Sequence, residues 1–226
     1  MDNKYKLTLH GYHLSSATWR VRNVLKFRSI PFENIQVDIF NGEHETEEYK
    51  KMNPNARVPC LQVTDLASNK THFMSESFAI CDFLELAYPE AENKLIPSDL
   101  VLRQKVLEVC NVINAAIQPM QNAMVLRVLK NEFGVEDAAP FAAKYVQKGL
   151  EAVSQIINED GTNEGKNFCF GDTPYLCDMF LLPQMAGARR FKLQIEGTPL
   201  ELLSKIEINL LDRYPSLVEA KPEFWK

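Results

Sequence analysis

Residues 5–31, YKLTLHGYHLSSATWRVRNVLKFRSIP, change period halfway along. Leu7 and Leu9 alternate with polar neighbours, the two-residue period of a half-buried strand. Val21, Val24 and Leu25 instead take helical spacing, and Pro31 ends the run. At the join stand Ser15 and Ser16, with Arg20 and Arg22 one turn further on. A helix start offers unpaired backbone N–H groups and the positive end of a dipole. Hydroxyls there either cap the helix or help to hold an anion, and the local sequence serves both readings.

A strand followed by a helix frames the residues beyond. Ile35, Val37 and Ile39 alternate as a second strand, and the polar, acidic segment 43–52 reads as a short exposed helix stopped by Asn53-Pro54. Two short strands, 58–63 and 72–74, surround a turn containing Ala67, Ser68 and Asn69. Ile80, Phe83, Leu84 and Ala87 mark one more helix. The order βαβαββα predicts a small mixed sheet with helices packed on it. Residues 88–100 are polar and carry Pro89 and Pro97, as an inter-domain connection does. Beyond them the strand period disappears. Leu102, Val106, Val109, Cys110, Ile113 and Ile117 hold a helical stripe, and Pro119 is predicted to kink that helix in its interior. Further helical stretches are expected at about 138–158, 175–187 and 201–213. The fold class is therefore α+β, with residues 1–88 as a mixed domain, 89–100 as a linker and 101–226 as an all-α domain.

Composition excludes several functions. A net charge of -5 without a basic run argues against nucleic-acid binding, which needs a concentrated cationic surface. The longest apolar stretch, 168–186, is interrupted by Asp172, Pro174, Asp178, Pro183 and Gln184, so it falls short of the roughly 20 clean residues of a membrane helix and reads as a buried core helix. Cys60, Cys81, Cys110, Cys169 and Cys177 form no CxxC pair and sit among apolar neighbours, which predicts reduced, mostly buried thiols. His10, His13, His44 and His72 lack zinc-ligand spacing with them, so no metal is expected. No secretory leader is recognised, and the expected location is cytoplasmic.

Six segments carry a resemblance: "SSATWRVR" (15–22), "NPNARVPCL" (53–61), "SESFAI" (75–80), "IQPMQN" (117–122), "FCFGD" (168–172) and "LLPQMAGARRF" (181–191). In this order they resemble the zeta class of glutathione transferases, which includes maleylacetoacetate isomerases. The resemblance implies a thioredoxin-like domain followed by an all-α domain, glutathione as cofactor, and assembly as a homodimer in the cytoplasm. It also implies cis–trans isomerisation of a small dicarboxylate, maleylacetoacetate to fumarylacetoacetate, in tyrosine and phenylalanine breakdown. Glutathione thiolate adds to the double bond, the bond rotates, and elimination regenerates the thiol. Conjugation of α-halo acids, isomerisation of maleylpyruvate, and a non-catalytic binding module of the same fold are the competing readings.

The resemblance also assigns residues. Ser15 matches the thiol-activating serine and Ser16 its companion. A free thiol of pKa near 8.5 is mostly protonated at neutral pH, and a hydrogen bond to a charged group, about 1.5–3 kcal/mol, lowers that by roughly one to two units. Val58 and Pro59 match a cis bond that leaves the Val58 backbone free to pair with glutathione. Glu76 and Ser77 match the γ-glutamyl site at a second helix start. His44 matches a contact to the glycine end, and Gln118 and Asn122 match polar groups directed to glutathione from the helical domain. Arg190 matches a substrate-side arginine able to hold a carboxylate bidentately, Arg20 is given a supporting role on the substrate side, and Arg22 of the same signature is given a supporting role too. Asp178 matches a structural helix cap, with Thr173-Pro174 suggesting that its helix starts early. Leu14, Ala17 and Glu76 depart from the arginine, cysteine and glutamine usual in the class.

Overall fold

The protein is described here from a computed structural model, in which residues 4–159 and 166–225 are placed. The chain divides into two compact units, one running to Lys94 and resumed from Tyr214, the other Leu95–Arg213. In the first unit β1 (Tyr5–Gly11) leads into α1 (Ser16–Phe27), as the change of period requires. β2 (Glu33–Gln36), α2 (Glu47–Met52), β3 (Cys60–Asp65), β4 (Thr71–Ser75) and α3 (Ser77–Ala87) follow. The strand order is β2-β1-β3-β4, with β1 parallel to β2 and antiparallel to β3, and β4 antiparallel to β3. The register pairs Leu7 with Val63 and Leu9 with Leu61, all four buried, and α1 and α3 bring buried Val21, Val24, Leu25, Ile80 and Leu84 to the same core. Gly11 closes β1 where a Cβ would lie 2.2 Å from Thr18 Cγ2, so strand and helix meet without room for a side chain.

Several boundaries differ from the sequence reading for local reasons. The second strand stops at Gln36; Val37 N still donates to the Gly11 carbonyl, but Ile39 lies outside the ladder. Segment 43–52 splits into a 3-10 turn, Glu43–Glu45, and α2, because the Thr46 hydroxyl caps α2 by accepting from Tyr49 N at 3.2 Å. β3 begins at Cys60 rather than Val58, since Pro59 has no N–H to give the ladder. The turn after β3 is built on the Asp65 carboxylate, which accepts from the N–H groups of Ala67 and Ser68.

The second unit contains α4 (Leu100–Asn111), α5 (Ala123–Phe133), α6 (Ala139–Ile157), α7 (Leu176–Arg190) and α8 (Leu200–Arg213). Pro119 does not kink a continuous helix. α4 widens into a π-helical stretch, Val112–Ile117, and then tightens into a 3-10 turn, Gln118–Gln121, in which Pro119 is an early residue with no intrahelical bond to lose. The apolar run is not one helix either, for α7 starts at Leu176 and its side chains are buried almost throughout. Thr173-Pro174 does not start it; Tyr175 is the N-cap.

The chain after α8 does not stay with the helical unit. Tyr214 and α9 (Pro215–Glu219) return to the first unit, where the Tyr214 ring meets Phe27 edge-on at 4.9 Å and Ala220 is buried. The all-α unit thus ends at Arg213, and its first residue is Leu95. All five cysteines are buried, free thiols.

Candidate active site

The first unit gathers polar groups at three chain corners. At the first, Ser15 caps α1: its Oγ accepts from Thr18 N at 3.2 Å and its carbonyl accepts from Trp19 N at 2.9 Å. Capping uses a lone pair of the hydroxyl and leaves its proton available to donate. The N–H groups of Ser16 and Ala17 precede the first intrahelical bond, and the positive end of the helix lies with them. Ser15 N donates to the Tyr12 carbonyl at 3.0 Å, which fixes the turn leading into the cap. The two readings of the hydroxyl are therefore compatible: one oxygen caps the helix and still offers O–H to an anion.

At the second corner the Val58-Pro59 bond is cis. Two side chains hold the approach to it, Asn53 Nδ2 and Tyr49 OH both donating to the Arg57 carbonyl, at 2.6 and 2.9 Å. Val58 packs against the buried cluster of Val37, Tyr49 and Cys60. Its own backbone lies just ahead of the ladder that starts at Cys60.

The third corner is the start of α3. Glu76 has φ +67° and ψ 112°, a backbone conformation uncommon for a residue with a side chain and of the kind that collects at ligand-binding positions. Its carboxylate does not cap the helix but accepts from Asn55 Nδ2 at 3.2 Å, which ties this corner to the second. Ser77 is buried, and its Oγ accepts from Arg20 Nη1 at 3.4 Å. Arg20 is fully buried behind Ser77, so it does not stand on the substrate side; it supports the serine from within the unit. His44, in the 3-10 turn, has Nε2 3.7 Å from Glu45, while its buried Nδ1 makes no hydrogen bond among the described residues.

The remaining assigned residues belong to the second unit. Gln118 opens the 3-10 turn and Asn122 caps α5, its Oδ1 accepting from Met124 N at 2.9 Å, which leaves the amide NH2 to donate elsewhere. That turn is pinned to α7 by a reciprocal amide pair, Gln121 Nε2 to Gln184 Oε1 at 3.1 Å and Gln184 Nε2 to Gln121 Oε1 at 3.2 Å. At the end of α7 the two arginines divide. Both are exposed, but Arg189 is held by both oxygens of the mostly buried Glu207 carboxylate, whereas Arg190 has its guanidinium over the Phe191 ring.

Asp178 is fully buried, and its oxygens accept from Cys169 N at 3.0 Å and Tyr175 N at 2.8 Å. Burial pushes its pKa up and these N–H bonds oppose that. It lies within 4.8 Å of Cys169 and Cys177, a trio of the size that holds a metal. Burial raises both thiols, though, and the carboxylate is already engaged by the helix start, so the trio reads as a cap.

Sequence reasoning missed Asn53, and it gave Arg22, as part of the 15–22 signature, only the supporting role it gave Arg20. Asn53 had a signal, a polar residue directly before Pro54; the contacts of Arg22 depend on residues almost 200 positions away.

The family model for the N-terminal domain of glutathione S-transferases matches residues 14–87. A zeta-class glutathione S-transferase of Euphorbia esula is 32% identical over 201 residues, 88% of this chain and 84% of that protein. A probable maleylacetoacetate isomerase of Drosophila melanogaster is 33% identical over 216 residues, 95% of this chain and 87% of that protein. Among solved structures, the maleylacetoacetate isomerase of Anaeromyxobacter dehalogenans with glutathione bound in its active site superposes with a TM-score of 0.84 at 31% identity, over 98% of this chain and 97% of that one. A further structure of that protein, at a TM-score of 0.83 and 30% identity over 98% and 96% of the chains, holds dicarboxyethyl glutathione and citrate in the same site.

Proposed function

The chain belongs to the zeta class of glutathione transferases, and from that premise we propose that it is a glutathione-dependent isomerase of maleylacetoacetate, with the Ser15 hydroxyl as the group that stabilises the thiolate. The observation that carries this reading is the Ser15 cap, an O–H donor set among the N–H groups that open α1. When bound, glutathione supplies a sulfur nucleophile that adds reversibly to the double bond and is regenerated. The residues present suit it: an uncommon backbone at Glu76, a buried hydroxyl at Ser77, and a strand-like backbone at Val58 ahead of a cis proline.

Each of these side chains then has a task. Ser15 donates to sulfur, and the N–H groups of Ser16 and Ala17 add positive potential, which favours the anion at neutral pH. The Ser77 hydroxyl and the start of α3 hold the γ-glutamyl carboxylate, and the Glu76 carboxylate, steadied by Asn55, takes the γ-glutamyl ammonium. Val58 pairs its backbone with the peptide, and His44 receives the glycine end. Gln118 and the Asn122 amide are the further donors that the resemblance assigns to glutathione. Arg190, with its guanidinium exposed, holds a substrate carboxylate. A homodimer in the cytoplasm completes the proposal.

The test is isomerisation of maleylacetone, a close analogue of the substrate, with and without glutathione. Turnover is expected only with glutathione and is expected to collapse in Ser15→Ala. That variant also loses a helix cap, a cost of about 1 kcal/mol, so Ser15→Asp serves as its control: the carboxylate keeps the cap but cannot donate to a thiolate. Full activity in Ser15→Asp, or turnover without glutathione, would sink the assignment.

A further inference from the structure

A fully buried guanidinium in the first unit is used by neither the fold's core nor the corners described above. Arg22 is 1% exposed. One end of its fork, Nη2, donates to the His13 carbonyl at 2.8 Å, and Nε donates to the Ala220 carbonyl at 3.1 Å. Its guanidinium also lies 5.6 Å from the centre of the Trp225 ring. One arginine thus joins the turn that carries Ser15 to a segment near residue 220.

That segment is fastened to α1 and its surroundings at several points. The Trp225 ring stacks on Phe32, with centroids 5.4 Å apart and planes 19° apart, and its Nε1 donates to the Glu219 carbonyl at 2.7 Å. Lys26 forms an ion pair with Glu219 at 2.9 Å and also lies over the Trp225 ring. Burial lowers the Arg22 pKa to about 10, so the group is charged at neutral pH and must find its compensation inside the protein. It finds part in the His13 carbonyl and part in the tail, through Ala220 and the face of Trp225.

We propose that residues 215–225 are a positioning element for the thiolate site, with Arg22 as the positioning residue that transmits their packing to the turn 12–15. This rests on the assignment of Ser15 to the thiolate. If the tail loosens, Arg22 loses the Ala220 carbonyl and the ring face, turns toward water and releases the His13 carbonyl. The Ser15 hydroxyl, two residues on, then keeps its cap to Thr18 but loses its fixed direction. Donor placement matters at the level of about 0.5 Å in such sites.

The experiment is a pH titration of the bound glutathione thiol, followed by the ultraviolet absorbance of the thiolate, together with glutathione affinity and thermal unfolding. The proteins are the wild type, Trp225→Ala, Trp225→Phe, Arg22→Lys and a chain ended after Tyr214. Arg22→Lys keeps the charge and loses the fork. The thiol pKa is expected to rise by about 0.5–1 unit in Trp225→Ala, Arg22→Lys and the shortened chain, lowering turnover at neutral pH by about 3- to 10-fold. Trp225→Phe is expected to restore the wild-type value, because it keeps a ring under the guanidinium. In the unliganded protein, amide exchange at Ser15 and Ser16 is expected to speed up in the same variants. An unchanged thiol pKa in variants that only melt earlier would overturn the proposal and leave the tail as packing alone. If the wild-type protein binds glutathione without lowering its thiol pKa, the Ser15 assignment fails first and this proposal with it.

Discussion

Adjacent arginines at the end of α7 show how much a single residue's surroundings decide. Both read alike in "GARRF", and both stand near a helix C-terminus, where a cation is favoured. The structure separates them by partner: Arg189 grips Glu207 on α8, and Arg190 lies over the Phe191 ring. Arg190→Gln is expected to raise KM for a dicarboxylate about 10-fold or more, the loss of one charge-assisted pair, with no change in melting temperature. Arg189→Gln is expected to do the reverse, lowering stability by about 1–3 kcal/mol because Glu207 is left mostly buried and unpaired, with KM unchanged. Steady-state kinetics beside chemical denaturation reads both, and an Arg189 variant that alters KM while leaving stability intact would exchange the two roles. The choice between them was legible only through the resemblance, since the partner Glu207 lies on another helix. Ser15 as a helix cap, in contrast, was legible from chain-local signals, a hydroxyl where the period changes, while its assignment to a thiolate came only through the resemblance. Arg20 was placed on the substrate side because it belongs to the signature that carries the resemblance, and nothing nearby in the sequence reveals that it is sealed behind Ser77.

Between elements, the turn carrying Gln118 is set by a missing side chain. On Gly149 of α6 a Cβ would fall 2.2 Å from Ile117 Cγ1 and 2.6 Å from its Cδ1, so the last residue of the π-helical stretch uses the space that glycine leaves. Gly149→Ala gains about 1 kcal/mol of helix propensity, yet it is expected to destabilise the protein by a net 1–3 kcal/mol, roughly the cost of overpacking a filled core. It is also expected to weaken glutathione binding, since Ile117 immediately precedes Gln118. A double-mutant cycle with Ile117→Ala checks the mechanism: the cost of Gly149→Ala should vanish in that background, and additive costs would show that the contact is not the cause. The stripe from Leu102 to Ile117 correctly gave the buried face but not the widening into a π-helix, because one apolar stripe spans both windings. Pro119 announced a change of course, and only the packing of α6 against Ile117 shows that the change is an end rather than a bend.

Across the whole molecule, the buried thiols tie stability to pH. Burial pushes Cys60 and Cys177 from an ordinary value near 9 up to about 11, raises Cys81 and Cys169 as well, and pushes Tyr88 from 10 to about 12. Below about pH 8 these thiols are protonated in both states and contribute no slope. As pH rises from 9 to 11 the unfolded chain releases protons that the folded chain keeps, so stability falls across that window. Each two-unit shift corresponds to a loss on the order of 2–3 kcal/mol. Arg22 acts in the opposite sense, since its folded pKa of about 10 lies below the ordinary 12.5, but it gains weight only above pH 10. The net expectation is a flat denaturation midpoint up to about pH 8, then a marked fall by pH 10.5, measured in guanidinium with a reductant present. Cys60→Ala should remove one proton from that slope, about 1.4 kcal/mol per pH unit, which separates the thiol effect from the repulsion of a chain already at -5. A midpoint that stays level to pH 10.5 would mean that the thiols reach water more readily than their burial implies. Apolar neighbours in the sequence foretold that the cysteines would be inside; how far each is sealed depends on which elements close over it, and in this fold strands, both units' helices and the cap at Asp178 all take part.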